Sequence, residues 1–248
     1  MTTENINPFQ APKAQLEVAA PGVPGGSLED AVAGRYSLGI EEVMRDAWRL
    51  TKGFKATFWG AGIIIYGVFL VAGVAVRAAL GSQPNLATSL VVNGLLGGLM
   101  APFMMGMIML SVRRAAGLPV SFSTAFNYIN KAPTAIAAGL LTTLLTYVGS
   151  ALLVLPGIYL AVAYGMTMPL IADRNLGVWQ AMETSRKAVT RKWFRIFGLY
   201  LAVAILVMLS ALPLGIPLIW TVPWAMLTLG VAYHRIFGVA SATPPGSI

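Results

Sequence analysis

The sequence contains no cysteine and a single histidine, His234. Because disulfides, thiolate metal sites and cysteine nucleophiles all need a cysteine, none of them is available to this chain. One imidazole without a thiol or a nearby carboxylate completes neither a zinc site nor a catalytic triad. These absences predict that the protein is not an enzyme and that it holds no metal or other cofactor.

Negative charge is also scarce. Charged residues make up 10% of the chain, whereas a typical soluble domain has about 25%. The nine acidic residues all lie outside the long apolar stretches: Glu4, Glu17, Glu29, Asp30, Glu41, Glu42, Asp46, Asp173 and Glu183. Ionisable groups inside membrane helices usually serve transport or proton relays. Their absence argues against a proton-coupled transporter and against acid–base catalysis at membrane depth.

Long apolar runs dominate what is present, with 57% hydrophobic residues and a mean hydropathy of +0.74. Uncharged stretches cover residues 57–76, 86–110, 132–172 and 196–233. About twenty helical residues cross the ~30 Å hydrocarbon core, so the two longest stretches hold two helices each. Their predicted breaks are the hairpin turn Pro156–Gly157 and residues 212–217, because proline suits the first turn of a new helix. The pattern predicts an all-α membrane protein with six transmembrane helices in three hairpins.

Basic residues predict the orientation. They flank the apolar stretches on one side, and only Arg77 falls on the other. By the positive-inside rule, both termini are cytoplasmic. The basic residues on the inner side are Arg45, Arg49, Lys52, Lys55, Arg113, Arg114, Lys131, Arg174, Arg186, Lys187, Arg191, Lys192, Arg195 and Arg235.

A short amphipathic segment precedes each hairpin. Leu38-Gly39-Ile40 before the first hairpin resembles Leu176-Gly177-Val178 before the third, and Phe122, Ala125, Phe126 and Ile129 repeat the helical spacing before the second. Such a helix is expected to lie in the cytoplasmic interface, with its apolar face in acyl chains and its basic face toward headgroups. The sequence therefore predicts a unit of one interfacial helix and one hairpin, used three times in parallel.

Three segments resemble a known family. They are Leu155-Pro156-Gly157-Ile158-Tyr159-Leu160, Met168-Pro169-Leu170-Ile171-Ala172-Asp173 and Ala181-Met182-Glu183-Thr184-Ser185-Arg186. In these the chain is similar to bacterial inner-membrane proteins of the YciC type, related in pattern to the membrane domain of some glycerophosphodiester phosphodiesterases. The resemblance implies a six-helix protein of the bacterial inner (plasma) membrane, and it carries over no catalytic residue.

The basic clusters are the candidate binding surface. The net charge of +8 sits beside apolar stretches and not on a soluble module, which argues against nucleic acid as a partner. Anionic lipid headgroups, a membrane-protein partner or a second copy of the chain are the expected partners. The candidate surface comprises Arg45, Arg49, Lys52, Lys55, Arg186, Lys187, Arg191, Lys192 and Arg195.

Gly94 and Gly98 form a small-xxx-small pair in the second apolar stretch. This pair predicts close helix packing, within the fold or alternatively between two copies.

The domain layout follows from these patterns. Residues 1–36 have few large apolar side chains and are expected to form a disordered or partner-binding tail. Residues 37–240 form the transmembrane domain, and residues 241–248 form a short C-terminal tail. The leading hypothesis is a non-enzymatic scaffold or accessory subunit that engages anionic lipid or a membrane partner. The alternative is a small permease or channel for a solute or lipid.

Overall fold

The computed structural model describes residues 23–80 and 85–240, and these are helical without any strand. The predicted tails at 1–22 and 241–248, and most of the turn at 81–85, lie outside the described residues. Two 3-10 segments, Phe122–Phe126 and Ile129–Lys131, accompany the α-helices. The helices are α1 (Leu28–Ala33), α2 (Ile40–Leu50), α3 (Lys55–Leu80), α4 (Leu86–Ala115), α5 (Ala132–Leu152), α6 (Val154–Ala163), α7 (Thr167–Arg174), α8 (Val178–Arg191), α9 (Trp193–Ala211) and α10 (Leu218–Phe237).

Five helical stretches of the described chain are long and apolar enough to cross a membrane. They are Lys55–Leu80, Val92–Ala115, Phe122–Leu152, Val154–Arg174 and Trp193–Ala211. These stretches give the chain the character of a multi-pass membrane protein. The predicted sixth span, α10, is not among them, because Trp220, Trp224, His234 and Arg235 lower its hydropathy.

The buried core and the apolar surface occupy different parts of the helices. Met105, Leu110, Tyr233 and Phe237 are fully buried in the C-terminal halves of α4 and α10, and Leu170 is fully buried in the middle of α7. Large apolar side chains are exposed along α3, around the α5–α6 junction and on α9. In water such a surface would drive aggregation, whereas lipid solvates it at little cost.

The break between α5 and α6 differs from the predicted one at Pro156–Gly157. The chain turns at Leu153, whose backbone is extended, and α6 begins at Val154. Pro156 lies in the first turn of α6, where the missing N–H costs no hydrogen bond. Gly157 packs directly against Ser150, where any side chain would clash.

The middle unit also differs from its prediction as an amphipathic helix. Residues 122–131 form two short 3-10 segments. Ser121 and Thr124 form a capping box through their own side chains, and such local bonds compete with α-helix formation. Ala125 is fully buried against Gly106 of α4.

Each hairpin is preceded by what we call an entry segment: α2, residues 122–131 or α8. The second arms of the hairpins are α4, α6–α7 and α10. Each entry segment packs on the second arm of another hairpin: α2 on α10, residues 122–131 on α4, and α8 on α6–α7. Because α2 of the first unit packs on α10 of the last, this packing relation closes a ring.

Part of the apolar face of α2 and of α8 lies against protein and not among acyl chains as predicted, whereas Trp48 and Trp179 remain exposed. Val43, Ala47 and Leu50 of α2 are buried, as are Ala181 and Ala188 of α8. Burying such a face against neighbouring helices removes as much apolar surface from water as acyl chains would.

Residues 23–36 belong to the folded domain, so the predicted tail boundary at 36 is wrong for this part. Val23 N donates to Ala115 O at 3.0 Å, and Gly26 N donates to His234 O at 2.9 Å. Ala31 and Tyr36 are buried. The small residues of this segment allow backbone contacts that its low hydrophobicity did not suggest.

The hairpins cross one another steeply. In the first hairpin, a methyl group on Gly62 would touch Met107, so the N-terminal turns of α3 are level with the C-terminal turns of α4. Gly230, near the C-terminal end of α10, packs against Ser111 at that same level.

The other end of α10 reaches this level as well. Trp59 Nε1 of α3 donates to Ile219 O at 2.9 Å, and Lys55 Nζ lies 5.5 Å from the centre of the Trp220 ring. Residues 219–230 span about 16 Å of helix, so α10 lies obliquely across the end of the first hairpin. The positive-inside pattern assigns Lys55 and the turn before α10 to opposite faces, whereas the structure brings them into contact.

Candidate functional site

The basic residues of the predicted surface fall into two groups that the fold keeps separate. The first group follows α2. Arg45 is paired with Glu41 at 3.2 Å, and Arg49 lies 3.5 Å from Asp46. Lys52 is exposed, and Lys55 lies over the Trp220 ring. Much of the charge in this group is therefore neutralised locally.

The second group lies on α8 and at the junction between α8 and α9. Glu183 accepts hydrogen bonds from Arg186 at 2.8 and 2.9 Å, and Lys187 lies 3.4 Å away. The hydrogen bonds from Arg186 are the main reason that the pKa of Glu183 is lowered. Glu183 thus stays ionised and offsets part of the positive charge of α8.

Lys192 is tied to the segment before α2. Its ammonium group donates to Tyr36 O and lies 4.9 Å from the centre of the Tyr36 ring. Tyr36 in turn donates its hydroxyl to Ala188 O at 2.9 Å, and burial raises its pKa to about 12. The phenol therefore remains protonated at neutral pH. The bonds of Tyr36 to Ala188 and Lys192 hold the junction of α8 and α9 against the segment before α2.

Arg191 and Arg195 are the uncompensated cations at the junction of α8 and α9. Both are exposed, and within residues 23–80 and 85–240 no carboxylate lies at ion-pair distance from either. Phe194, between them in sequence, is 83% exposed, and Trp179 on α8 is 68% exposed. Exposed aromatic rings beside cations are typical of a membrane–water interface. We call Arg191, Phe194 and Arg195 the corner.

An arginine repeat at the ends of the second arms is absent from the sequence-based predictions. Arg-x-x-Gly occurs at the ends of the second arms, at Arg114–Gly117, Arg174–Gly177 and Arg235–Gly238, and a fourth time at Arg195–Gly198 near the start of α9. Each of these three arginines at the ends of the second arms bonds to the backbone or carboxylates of another segment, within the first unit for Arg114 and between units for Arg174 and Arg235. Arg114 donates to Lys52 O, Arg174 to Phe237 O, and Arg235 to Glu42 and Asp46. Self-comparison of the sequence at this motif would have found them.

The most buried carboxylate is fully engaged. Asp173, whose side chain is 3% exposed, accepts hydrogen bonds from Arg174 Nε at 3.1 Å, Tyr233 OH at 2.9 Å and Ala240 N at 3.1 Å. It joins α7 to the end of α10. A carboxylate with its lone pairs committed in this way acts as a structural group. Among the described residues no three His, Asp or Glu side chains are placed to share a metal ion.

The predicted packing pair Gly94 and Gly98 is not where the helices approach most closely. Among the described residues, a methyl group added at Gly94 would meet nothing within 4 Å, which does not agree with its predicted role within the fold, and one added at Gly98 would only touch Ile136. The close approaches occur at Gly106 against Ala125 and at Gly230 against Ser111. Both lie in the buried halves of α4 and α10, where backbones cross.

No family model, curated protein sequence or solved structure matches the chain.

Proposed function

We propose that the protein is a non-enzymatic, multi-pass protein of the bacterial inner membrane that acts as a scaffold or accessory subunit and binds anionic phospholipid at the corner. The observation that carries this proposal is the pair of exposed, uncompensated arginines, Arg191 and Arg195, which flank the exposed Phe194 in sequence. A ring in the acyl region with two cations at headgroup level matches the chemistry of an anionic lipid.

The expected selectivity comes mainly from these two charges. A cation near an anionic surface contributes about 1 kcal/mol. Arg186 and Lys187 share Glu183, and Lys192 is held by Tyr36, so they add less. Two free cations therefore give about 2 kcal/mol, or roughly thirty-fold preference for anionic over zwitterionic lipid.

The test compares lipid retention by the purified protein in mild detergent. Native mass spectrometry with phosphatidylglycerol and phosphatidylcholine of the same acyl chains should show roughly thirty-fold tighter retention of phosphatidylglycerol. R191Q/R195Q should lose most of this preference, because the free cations are gone. The matched variant R35Q/R49Q should keep it, since those arginines are paired with Asp30 and Asp46. Equal retention of both lipids by the unaltered protein would refute the proposal.

The proposed topology has six crossings with both ends in the cytoplasm. The basic residues support it, because they flank the apolar stretches on one side and only Arg77 falls on the other. Because five apolar stretches are long enough to span, this topology requires α10 as the sixth crossing; its 20 residues, about 30 Å of helix, match the thickness of the hydrocarbon core.

We further propose that the protein has no catalytic activity of its own. Asp173 and Glu183 are both committed to hydrogen bonds with arginines. Purified protein with phospholipid or lipid-linked substrates and magnesium or manganese should show no turnover. Turnover that disappears in D173A or E183A would overturn this proposal.

A small permease is the second candidate, favoured by one cleft. Between α5 and α6 a space of about 350 Å³ is lined by Ala161 and by five hydroxyl-bearing residues, Thr142, Thr143, Thr146, Tyr147 and Tyr164. Thr142 already donates to Ala138 O, so part of this polarity is used within α5. Uptake of a polar solute into proteoliposomes that T146V and Y164F abolish would favour this function over the scaffold.

A further inference from the structure

A groove of about 660 Å³ lies between α2, α9 and α10, away from the corner. Ile40, Met44 and Trp48 of α2 recur at helical spacing and form one wall, and Leu206 of α9 and Trp224 of α10 contribute to the other walls. This volume lies within the range of ligand sites in proteins.

The polar atoms in the walls are already used inside the fold. Ser210 Oγ donates to Leu206 O at 2.7 Å, and Thr221 Oγ1 donates to Pro217 O at 3.1 Å. Trp224 Nε1 donates to Met44 O at 3.1 Å. The walls therefore offer an occupant almost only apolar surface.

Two opposite charges stand at the edge of the groove. Glu41 and Arg45 belong to its lining, their side chains are 88% and 61% exposed, and their charged atoms lie 3.2 Å apart. An exposed i,i+4 pair of this kind contributes little to stability and keeps most of its hydrogen-bonding capacity free. A ligand that complements the site has an apolar chain and carries both an anion and a cation with N–H donors.

We propose that the groove binds a phospholipid with a zwitterionic, primary-amine headgroup. Its acyl chain lies between Met44, Leu206 and Trp224, its phosphate bonds to Arg45, and its ammonium group bonds to Glu41. The quaternary ammonium of a choline headgroup has no N–H to donate to Glu41, so the site discriminates against it.

The size of the groove argues against a partner helix as the occupant. One turn of α-helix, about 10–12 Å wide and 5.4 Å long, fills roughly 400–600 Å³. The groove therefore holds little more than one turn, which is too short for a stable helix–helix contact.

Photo-crosslinking tests the site directly. Phosphatidylethanolamine with a diazirine on its acyl chain is added to the full-length protein in nanodiscs, and labelled residues are mapped by mass spectrometry. Labelling is expected on α2, α9 and α10 around the groove. Unlabelled phosphatidylethanolamine should compete at least ten-fold better than phosphatidylcholine or phosphatidylglycerol.

Variants separate the site from general lipid contact. L206W should fill the groove and reduce labelling at least ten-fold, whereas L209W, on an exposed position of the same helix outside the lining, should not. E41Q should remove the preference for phosphatidylethanolamine over phosphatidylcholine. R45Q should weaken competition by phosphatidylethanolamine and by phosphatidylcholine, because both carry the phosphate.

Unchanged labelling in L206W, or stronger competition by phosphatidylglycerol, would overturn the proposal. Crosslinks between two copies of the chain at these residues would show instead that the groove is a protein interface. R191Q/R195Q should leave groove labelling unchanged, so failure at the corner and failure at the groove are distinguishable.

Discussion

Residue scale: the glycines that matter for packing are set by where backbones cross. Gly106 faces the carbonyl of Ala125, and Gly230 faces the backbone of Ser111. These neighbours are main-chain atoms, so they cannot turn aside as a flexible side chain can. Gly94, by contrast, has no neighbour within 4 Å in the described chain.

G106A and G230A should therefore each destabilise the protein by about 1–3 kcal/mol, since a methyl group would overpack the crossing. Thermal unfolding in mild detergent, followed by circular dichroism, measures the change. The control G94A should be neutral or stabilise slightly, by up to about 1 kcal/mol, because alanine favours helix over glycine. If G94A were as damaging as G106A, Gly94 would be part of an interface between copies.

At the scale of elements, the hydroxyl group of Ser185 bonds to the backbone at the break between α6 and α7. The helices end and restart around Ala163 and Met166. Ser185 of α8 donates to Ala163 O at 2.6 Å and accepts from Met166 N at 3.2 Å, and all three residues are buried. The backbone groups that the break frees are thus satisfied by another unit.

S185A should destabilise the protein by about 2–3 kcal/mol, because two buried backbone groups lose their partner. The midpoint of thermal unfolding in detergent is the measurement. T184A is the matched control, since Thr184 is only partly buried and makes no hydrogen bond through its hydroxyl with the described residues. Equal midpoints for S185A and the unaltered protein would show that water replaces the hydroxyl.

Whole-molecule scale: the two ends of the described chain meet. Gly26 bonds to His234, and Arg235 bonds to Glu42 and Asp46 of α2. The ring of entry segments on second arms is closed by these contacts. Every unit is thereby held by the next.

The topology can be tested with single cysteines, because the chain has none. L214C, at a position 93% exposed in the turn before α10, should react with a membrane-impermeant maleimide in intact spheroplasts. S247C should react only after permeabilisation, since both ends are proposed to be cytoplasmic.

Labelling of S247C in intact spheroplasts would reverse the orientation. Labelling of L214C only after permeabilisation would show that the turn between α9 and α10 lies on the cytoplasmic face. That result would agree with the contact between Trp59, near the start of α3, and Ile219. The cysteine-free protein serves as the blank in each measurement.

The sequence by itself determined the all-helical, membrane-type character of the chain. Long uncharged runs leave no other way to satisfy backbone hydrogen bonds in an apolar medium than helices. Local residues also determined that a break falls near Pro156 and that cations gather around α2 and α8. These properties depend on composition and short-range periodicity, which a sequence displays directly.

Only the tertiary structure decided which cations are free, where helices cross and what the amphipathic faces bury. Arg191 and Arg195 differ from Arg186 because of where carboxylates lie in space, Gly106 differs from Gly94 because Ala125 reaches one and not the other, and α2 packs on α10 across the full length of the chain. The groove between α2, α9 and α10 has the same origin, since its walls are distant in sequence. Contacts of this kind depend on how hairpins tilt against each other, and a local pattern carries no information about tilt.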